Sequence, residues 1–139
     1  MTKRMYFVLL FTAFVLTAVS VRAQVVVIAH PGFSADSISK SELRDVFMGA
    51  SSSVHGSQVK PVLLKEGPVH AEFVSDILGK PPVAFIVAWR TLVMSGQGTM
   101  PKTFDSEASL VEYVSHTPGA IGYISKSTTH ASVKVLTVH

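Results

Sequence analysis

The chain has 139 residues, 47% of them hydrophobic and 15% charged, with no cysteine and a formal net charge of +3 at pH 7. The absence of cysteine excludes disulfides, thiol chemistry and any thiolate metal site. The surplus charge resides in Lys3, Arg4 and Arg22; from residue 24 onward nine basic residues meet nine acidic ones, so the basic balance is no signature of nucleic acid or of an anionic membrane.

Lys3 and Arg4 precede an apolar run from Met5 to about Val19, and Val21-Arg22-Ala23 closes it with residues suited to the −3 and −1 positions of a cleavage site. This pattern predicts a secretory signal peptide over residues 1–23, cut between Ala23 and Gln24. An uncleaved anchor is the alternative, but the run is about fifteen residues, short of the roughly twenty that a membrane span needs. Nothing later in the chain resembles a span. Residues 24–139 have the size of one domain and are expected in the periplasm or outside the cell.

Val25 to Ala29 is a β-branched run ended by His30-Pro31-Gly32, which predicts a strand buried on both faces. The loop His30 to Ile38 leads to Ser39-Lys40-Ser41-Glu42, a capping box, and Leu43, Val46 and Phe47 then line one face of a short helix stopped by Gly49. Ala50 to Gln58, with four serines and a glycine, reads as a surface loop. Val59 to Lys65 is the second strand, and Pro68 opens a helix whose Phe73, Val74, Ile77 and Leu78 form its apolar side up to Gly79. Pro81-Pro82 restarts a helix that is apolar on more than one side, through Phe85, Ile86, Ala88, Trp89, Leu92 and Val93, and this one is expected to be the most buried. Ser95 to Pro101 is a flexible loop. Asp105 or Ser106 caps a last helix, with Leu110, Val111 and Val114 inward and Tyr113 at its edge. Pro118 and Gly119 end that helix, and Ala120 to Ser125 and Val133 to Val138 close the chain as strands. Gly119, Ala120 and Gly122 leave one strand face bare, as where another backbone or a ligand comes close.

The order strand, helix, strand, helix, helix, helix, strand, strand points to a three-layer α/β domain. The helix Glu42-Leu43-Arg44-Asp45-Val46-Phe47-Met48-Gly49 and the segment Pro118-Gly119-Ala120-Ile121-Gly122-Tyr123 carry a resemblance. Through them the chain resembles the substrate-binding proteins of phosphate ABC transporters, and more closely the small single-lobe proteins related to them, over roughly Val25 to Val138. The resemblance implies a single lobe of the type II periplasmic-binding-protein fold, the one that the chain of the two-lobe relatives enters second. It also implies a binding module without catalysis or cofactor. The two-lobe phosphate binders hold the anion partly at a helix start that follows a strand, through an Arg-x-x-x-Ser-Gly-Thr pattern. The matching stretch here is Lys65-Glu66-Gly67-Pro68-Val69-His70, in which Lys65 stands for the arginine, the hydroxyls are missing, Pro68 removes one N–H donor and Glu66 adds a repelling charge.

Lys65, Gly67 and His70 are therefore the candidate residues for a small oxyanion such as phosphate, held weakly or no longer held. Ser34 and Ser37, in the loop before the first helix, are further candidates for hydrogen bonds to a ligand. The alternative is an interaction or structural protein whose lobe contacts an envelope transporter or sensor and binds no ion. The six histidines show no i, i+4 pair and no His-x-His spacing, so no metal site is expected. The Gly96-x-Gly98 loop follows a helix and precedes a proline, which suits a turn better than a phosphate cradle. No Gly-x-Ser-x-Gly elbow and no close carboxylate pair in a glycine-rich loop suggests a hydrolase. Export is checked by intact mass: envelope material should begin at Gln24, and recovery of the uncut chain would establish an anchor instead.

Overall fold

The computed structural model describes residues 24–139; the segment read as a signal peptide lies outside the described residues. Eight strands and four helices follow one another as β1 (Val25–Ala29), β2 (Ser37–Ile38), α1 (Lys40–Phe47), β3 (Ser53–Val54), β4 (Ser57–Gln58), β5 (Lys60–Leu64), α2 (Pro68–Glu72), a π-helical turn (Phe73–Ile77), α3 (Pro82–Met94), β6 (Lys102–Phe104), α4 (Glu107–His116), β7 (Ala120–Ser125) and β8 (Lys134–Val138). Six strands form one mixed sheet in the order β2-β8-β1-β7-β5-β6, while β3 and β4 make a separate small hairpin. Within the six-stranded sheet β1 runs antiparallel to both neighbours, β7 and β8, and the other pairings are parallel.

Successive residues of a strand point to opposite faces, and β7 shows what covers each face. Gly122 faces α4: a β-carbon placed there would meet Leu110 Cδ2 at 2.9 Å and Val62 Cγ2 at 3.0 Å. Tyr123 faces the other layer, where its ring stacks on Phe73 with centroids 3.9 Å apart and Phe47 closes in edge-on at 6.0 Å. Helices therefore lie on both faces, and the protein is a three-layer α/β domain of the expected class. The core is one cluster of buried residues that includes Ile28, Phe47, Phe73, Phe85, Leu110, Ile121 and Tyr123.

The bare face of β7 has two different causes. At Gly122 the neighbours are side chains, so the space is filled by Leu110 and Val62 and not by another backbone. At Gly119 a backbone does approach: φ is +81°, and an added β-carbon would lie 2.7 Å from the Gln58 carbonyl oxygen. Lys60 N–H donates to the Gly119 carbonyl at 2.8 Å, which fixes the start of the β5–β7 pairing.

Most predicted elements form within a residue or two of their expected ends. The capping box forms by half: Ser39 Oγ accepts from Glu42 N–H at 3.0 Å, whereas the Glu42 carboxylate lies 3.3 Å from His55 Nε2. Ser106, not Asp105, caps α4, its Oγ accepting from Ser109 N–H. The 50–58 loop contains the β3–β4 hairpin and buries Val54, and the 95–101 loop is followed by the short strand β6. The expectation for α3 is corrected. Only Phe85 and Trp89 of this helix are buried, while Val83 is 76% and Met94 88% exposed, because the helix is an outer layer held through Phe85 against His70 and Trp89 Nε1–H donating to the Phe47 carbonyl, and its other side is uncovered.

Gly119→Ala should lower stability by about 2 kcal/mol or more, since left-handed backbone strain on the order of 1 kcal/mol is joined by the clash with Gln58. Gly56→Ala, at φ +79° with open space around it, should cost only the strain. Urea midpoints compare the two, and equal losses would show that the Gln58 backbone gives way freely.

Candidate functional site

The candidate site begins where two central strands part. Strand β5 pairs with β7 only at Lys60 and Pro61 and with β6 from Val62 to Leu64. Pro61 is tolerated inside the sheet because its missing N–H falls on the β6 side, one residue before β6 begins to pair. By alternation Leu64 turns its N–H toward β7, beyond the reach of that ladder. The Tyr123 hydroxyl accepts it instead, at 3.0 Å.

The same hydroxyl lies 2.5 Å from His70 Nδ1, the ring nitrogen within reach of its own proton. A Tyr123 hydroxyl that donates to Nδ1 favours the neutral tautomer with its hydrogen on Nε2. The ring is 4% exposed and also meets Phe85 edge-on, with centroids 5.9 Å apart. Burial lowers its pKa from the ordinary 6.5, with the Glu66 carboxylate pulling weakly the other way. Burial likewise pushes the Tyr123 hydroxyl far above the ordinary tyrosine range, against the opposing Leu64 hydrogen bond, so it remains protonated.

His70 forms the floor of a groove of about 450 Å³ between the start of α2 and the outer side of α3. Glu66, Gly67 and Ala71 line one side, and Pro82, Val83, Ile86, Val87 and Arg90 the other. Val83, Val87 and Arg90 recur at i, i+4 and i+7, so α3 presents one stripe to this space. Because Nδ1 is spent on Tyr123, the Nε2 edge is the one that opens on the groove.

The structure brings Gly67 and His70 to this groove and leaves the other candidate residues elsewhere. Lys65 is turned away in an exposed ion pair, its Nζ 2.6 Å from Asp105 Oδ1. Gly67 is extended and open, with nothing nearer than the Lys65 carbonyl oxygen at 3.9 Å to a β-carbon placed there. Ser37 pairs with Thr137 on the edge strand β2, four strand positions from β5, which is about 19 Å at ordinary strand spacing. Ser34 is exposed in the loop that Lys134 ties down through the Phe33 carbonyl at 2.9 Å and Asp36 at 2.7 Å. Among the described residues no group of three His, Asp or Glu side chains is arranged to hold a metal ion.

Arg90 and the role of Tyr123 escape a reading of the sequence. Arg90 sits inside an apolar helix pattern that gives no hint of its neighbours. Tyr123 carries a usable signal, since a tyrosine in a wholly apolar strand must find a partner for its hydroxyl.

No protein-family model and no curated protein matches the sequence. Solved structures do match the fold. Over 82% of its length the chain is similar to 44% of a Clostridium perfringens protein with bound phosphate, described as a phosphate ABC transporter substrate-binding protein, at TM-score 0.62 and 18% identity. An ABC-type phosphate transport receptor from Vibrio cholerae matches over 82% of this chain and 45% of its own, at TM-score 0.54 and 12% identity. PstS from Borrelia burgdorferi matches over 83% and 47%, at TM-score 0.57 and 16% identity. The fold is thus that of one lobe of a periplasmic binding protein, as in phosphate ABC transporter substrate-binding proteins. The chain spans less than half the length of each of these proteins.

Tyr123→Phe should cost about 2 kcal/mol or more, because it strands the Leu64 N–H and His70 Nδ1 in the core. His70 makes stability depend on pH. Near pH 6.5 the unfolded chain takes up a proton that the folded chain refuses, so this contribution is full above that pH and is lost as pH falls toward the depressed folded value. Urea midpoints should fall between pH 7.5 and 5.5, and His70→Gln should flatten that fall; an unchanged slope would show that His70 protonates freely in the fold.

Proposed function

We propose that the protein is an exported solute-binding-like module, one lobe of the phosphate-receptor type, whose binding of inorganic oxyanions is weak or lost. The supporting observation is the state of the groove at the α2 start. The cation expected to meet an oxyanion, Lys65, is committed to Asp105, Pro68 offers no N–H, and Glu66 lines the groove with negative charge. His70 is neutral there and gives one hydrogen bond without a charge. An open groove also leaves an anion facing water, which screens what attraction remains. The reading is of binding and not catalysis, in the periplasm or outside the cell.

A second reading has an observation of its own. Val83, Val87 and Met94 form an exposed apolar stripe on α3, which favours contact with an envelope protein such as a transporter or sensor.

Thermal melting separates them. Phosphate at about 10 mM should add under about 0.5 kcal/mol, a rise of at most a few degrees, with sulfate and chloride at matched ionic strength as controls. A rise of about ten degrees specific to phosphate and abolished in Lys65→Ala would establish a true phosphate receptor. No response to phosphate, with co-elution of an envelope protein lost on substituting Val83 and Met94 by serine, would favour the second reading.

A further inference from the structure

The groove between α2 and α3 bears opposite charges on its two sides. Glu66 belongs to the α2 side and Arg90 to the α3 side, and both are exposed. Among the described residues neither forms an ion pair, with the other or with any third side chain. The Arg90 side also carries an apolar wall of Pro82, Val83, Ile86 and Val87, and at the floor the Nε2 edge of His70 opens on the groove without a protein partner.

Each simple class of ligand leaves part of this arrangement unused. A dianion such as phosphate meets Arg90 but is repelled by Glu66 and gains nothing from the valines. A simple amine satisfies Glu66 and faces Arg90. An uncharged apolar molecule covers the wall and removes water from both charges without replacing it. A small molecule that carries one positive group, one negative group and a short aliphatic side chain satisfies all three.

We infer that the groove binds a small zwitterion of the aliphatic α-amino-acid class, with its ammonium at Glu66, its carboxylate at Arg90 and the His70 Nε2–H, and its side chain against Val83, Ile86 and Val87. This deepens the solute-binding reading and rests on it, replacing the inorganic oxyanion with an organic zwitterion. His70 is suited to the role because its contact with Tyr123 engages Nδ1 and leaves the Nε2 edge facing the groove. Exposed charge pairs contribute little each, and the groove is open, so affinity is expected near 1 mM, on the order of 4 kcal/mol of binding free energy.

The test is a titration of the whole chain followed by backbone amide and His70 ring nitrogen chemical shifts. Leucine should move the signals of His70, Ala71 and Val83 and saturate near 1 mM, on the scale expected of an open groove. 3-Methylbutylamine, which lacks the carboxylate, and 4-methylpentanoate, which lacks the ammonium, should each bind about fivefold or more weakly. Glu66→Gln and Arg90→Gln should weaken leucine by a similar factor while leaving the melting temperature unchanged, since both side chains are exposed. Equal binding of leucine and 4-methylpentanoate, or indifference to Glu66→Gln, would overturn the assignment of the ammonium and with it the inference. Phosphate moving the same signals, undisplaced by leucine, would overturn the zwitterion and leave the solute-binding reading standing. Signals unmoved by any of the four compounds at about 50 mM, far above the expected dissociation constant, would remove both readings from this groove.

Discussion

A backbone N–H inside a protein must have a partner, and at Leu64 the sheet does not provide one. Strands β5 and β7 pair for two residues and then part, because β5 goes on to pair with β6 while β7 remains beside β1. The Tyr123 hydroxyl fills the gap, and much of the surrounding structure follows from where that oxygen must be. The ring reaching it stacks on Phe73, and Phe73 belongs to the π-helical turn in which Leu78 N–H donates to the Phe73 carbonyl five residues back. That wider turn keeps Phe73, Val74 and Leu78 all buried where the preceding helix meets α3. The same hydroxyl engages His70 Nδ1 and so leaves the Nε2 edge to face the groove.

The opposite face of the sheet is organised chiefly by aliphatic volume. Leu110 of α4 lies over Gly122, and the Ser125 N–H donates to the Glu107 carboxylate, so α4 is pinned at its first turn to the end of β7. One strand thus receives hydrogen-bonded aromatic packing on one side and aliphatic packing on the other. Without cysteine, these two layers and their backbone ladders are what hold the domain together.

Much of this was legible in residue patterns. The β-branched run of β1, the Leu43, Val46 and Phe47 face of α1, the Pro68 and Pro82 helix starts and the Pro118-Gly119 stop are local signals, and local geometry decided them. The edge strands β2 and β6 were not legible, since two or three residues carry no period and exist only through their neighbours β8 and β5. The burial of α3 was misjudged for a related reason: apolar residues all round a helix imply burial only if something covers every side, and on Val83 and Met94 nothing in the described residues does. Within the site, Gly67 and His70 could be placed from the helix start. The ion pair of Lys65 with Asp105 could not, because Asp105 arrives through β6, a strand that the sequence did not announce.

The two outer strands of the sheet are its shortest, β2 with two residues and β6 with three, and Pro101 stands immediately before β6. Lys102, at the start of β6, holds its ammonium 4.6 Å from the Tyr113 ring centre, laying a solvated cation along that rim. An unpaired strand edge is a template on which other chains can polymerise, and brevity, a neighbouring proline and a lysine are the devices that blunt it. For a polypeptide with no covalent cross-link, such margins favour colloidal solubility while it is only partly assembled. They also leave little room for partners that bind by adding a strand to the sheet.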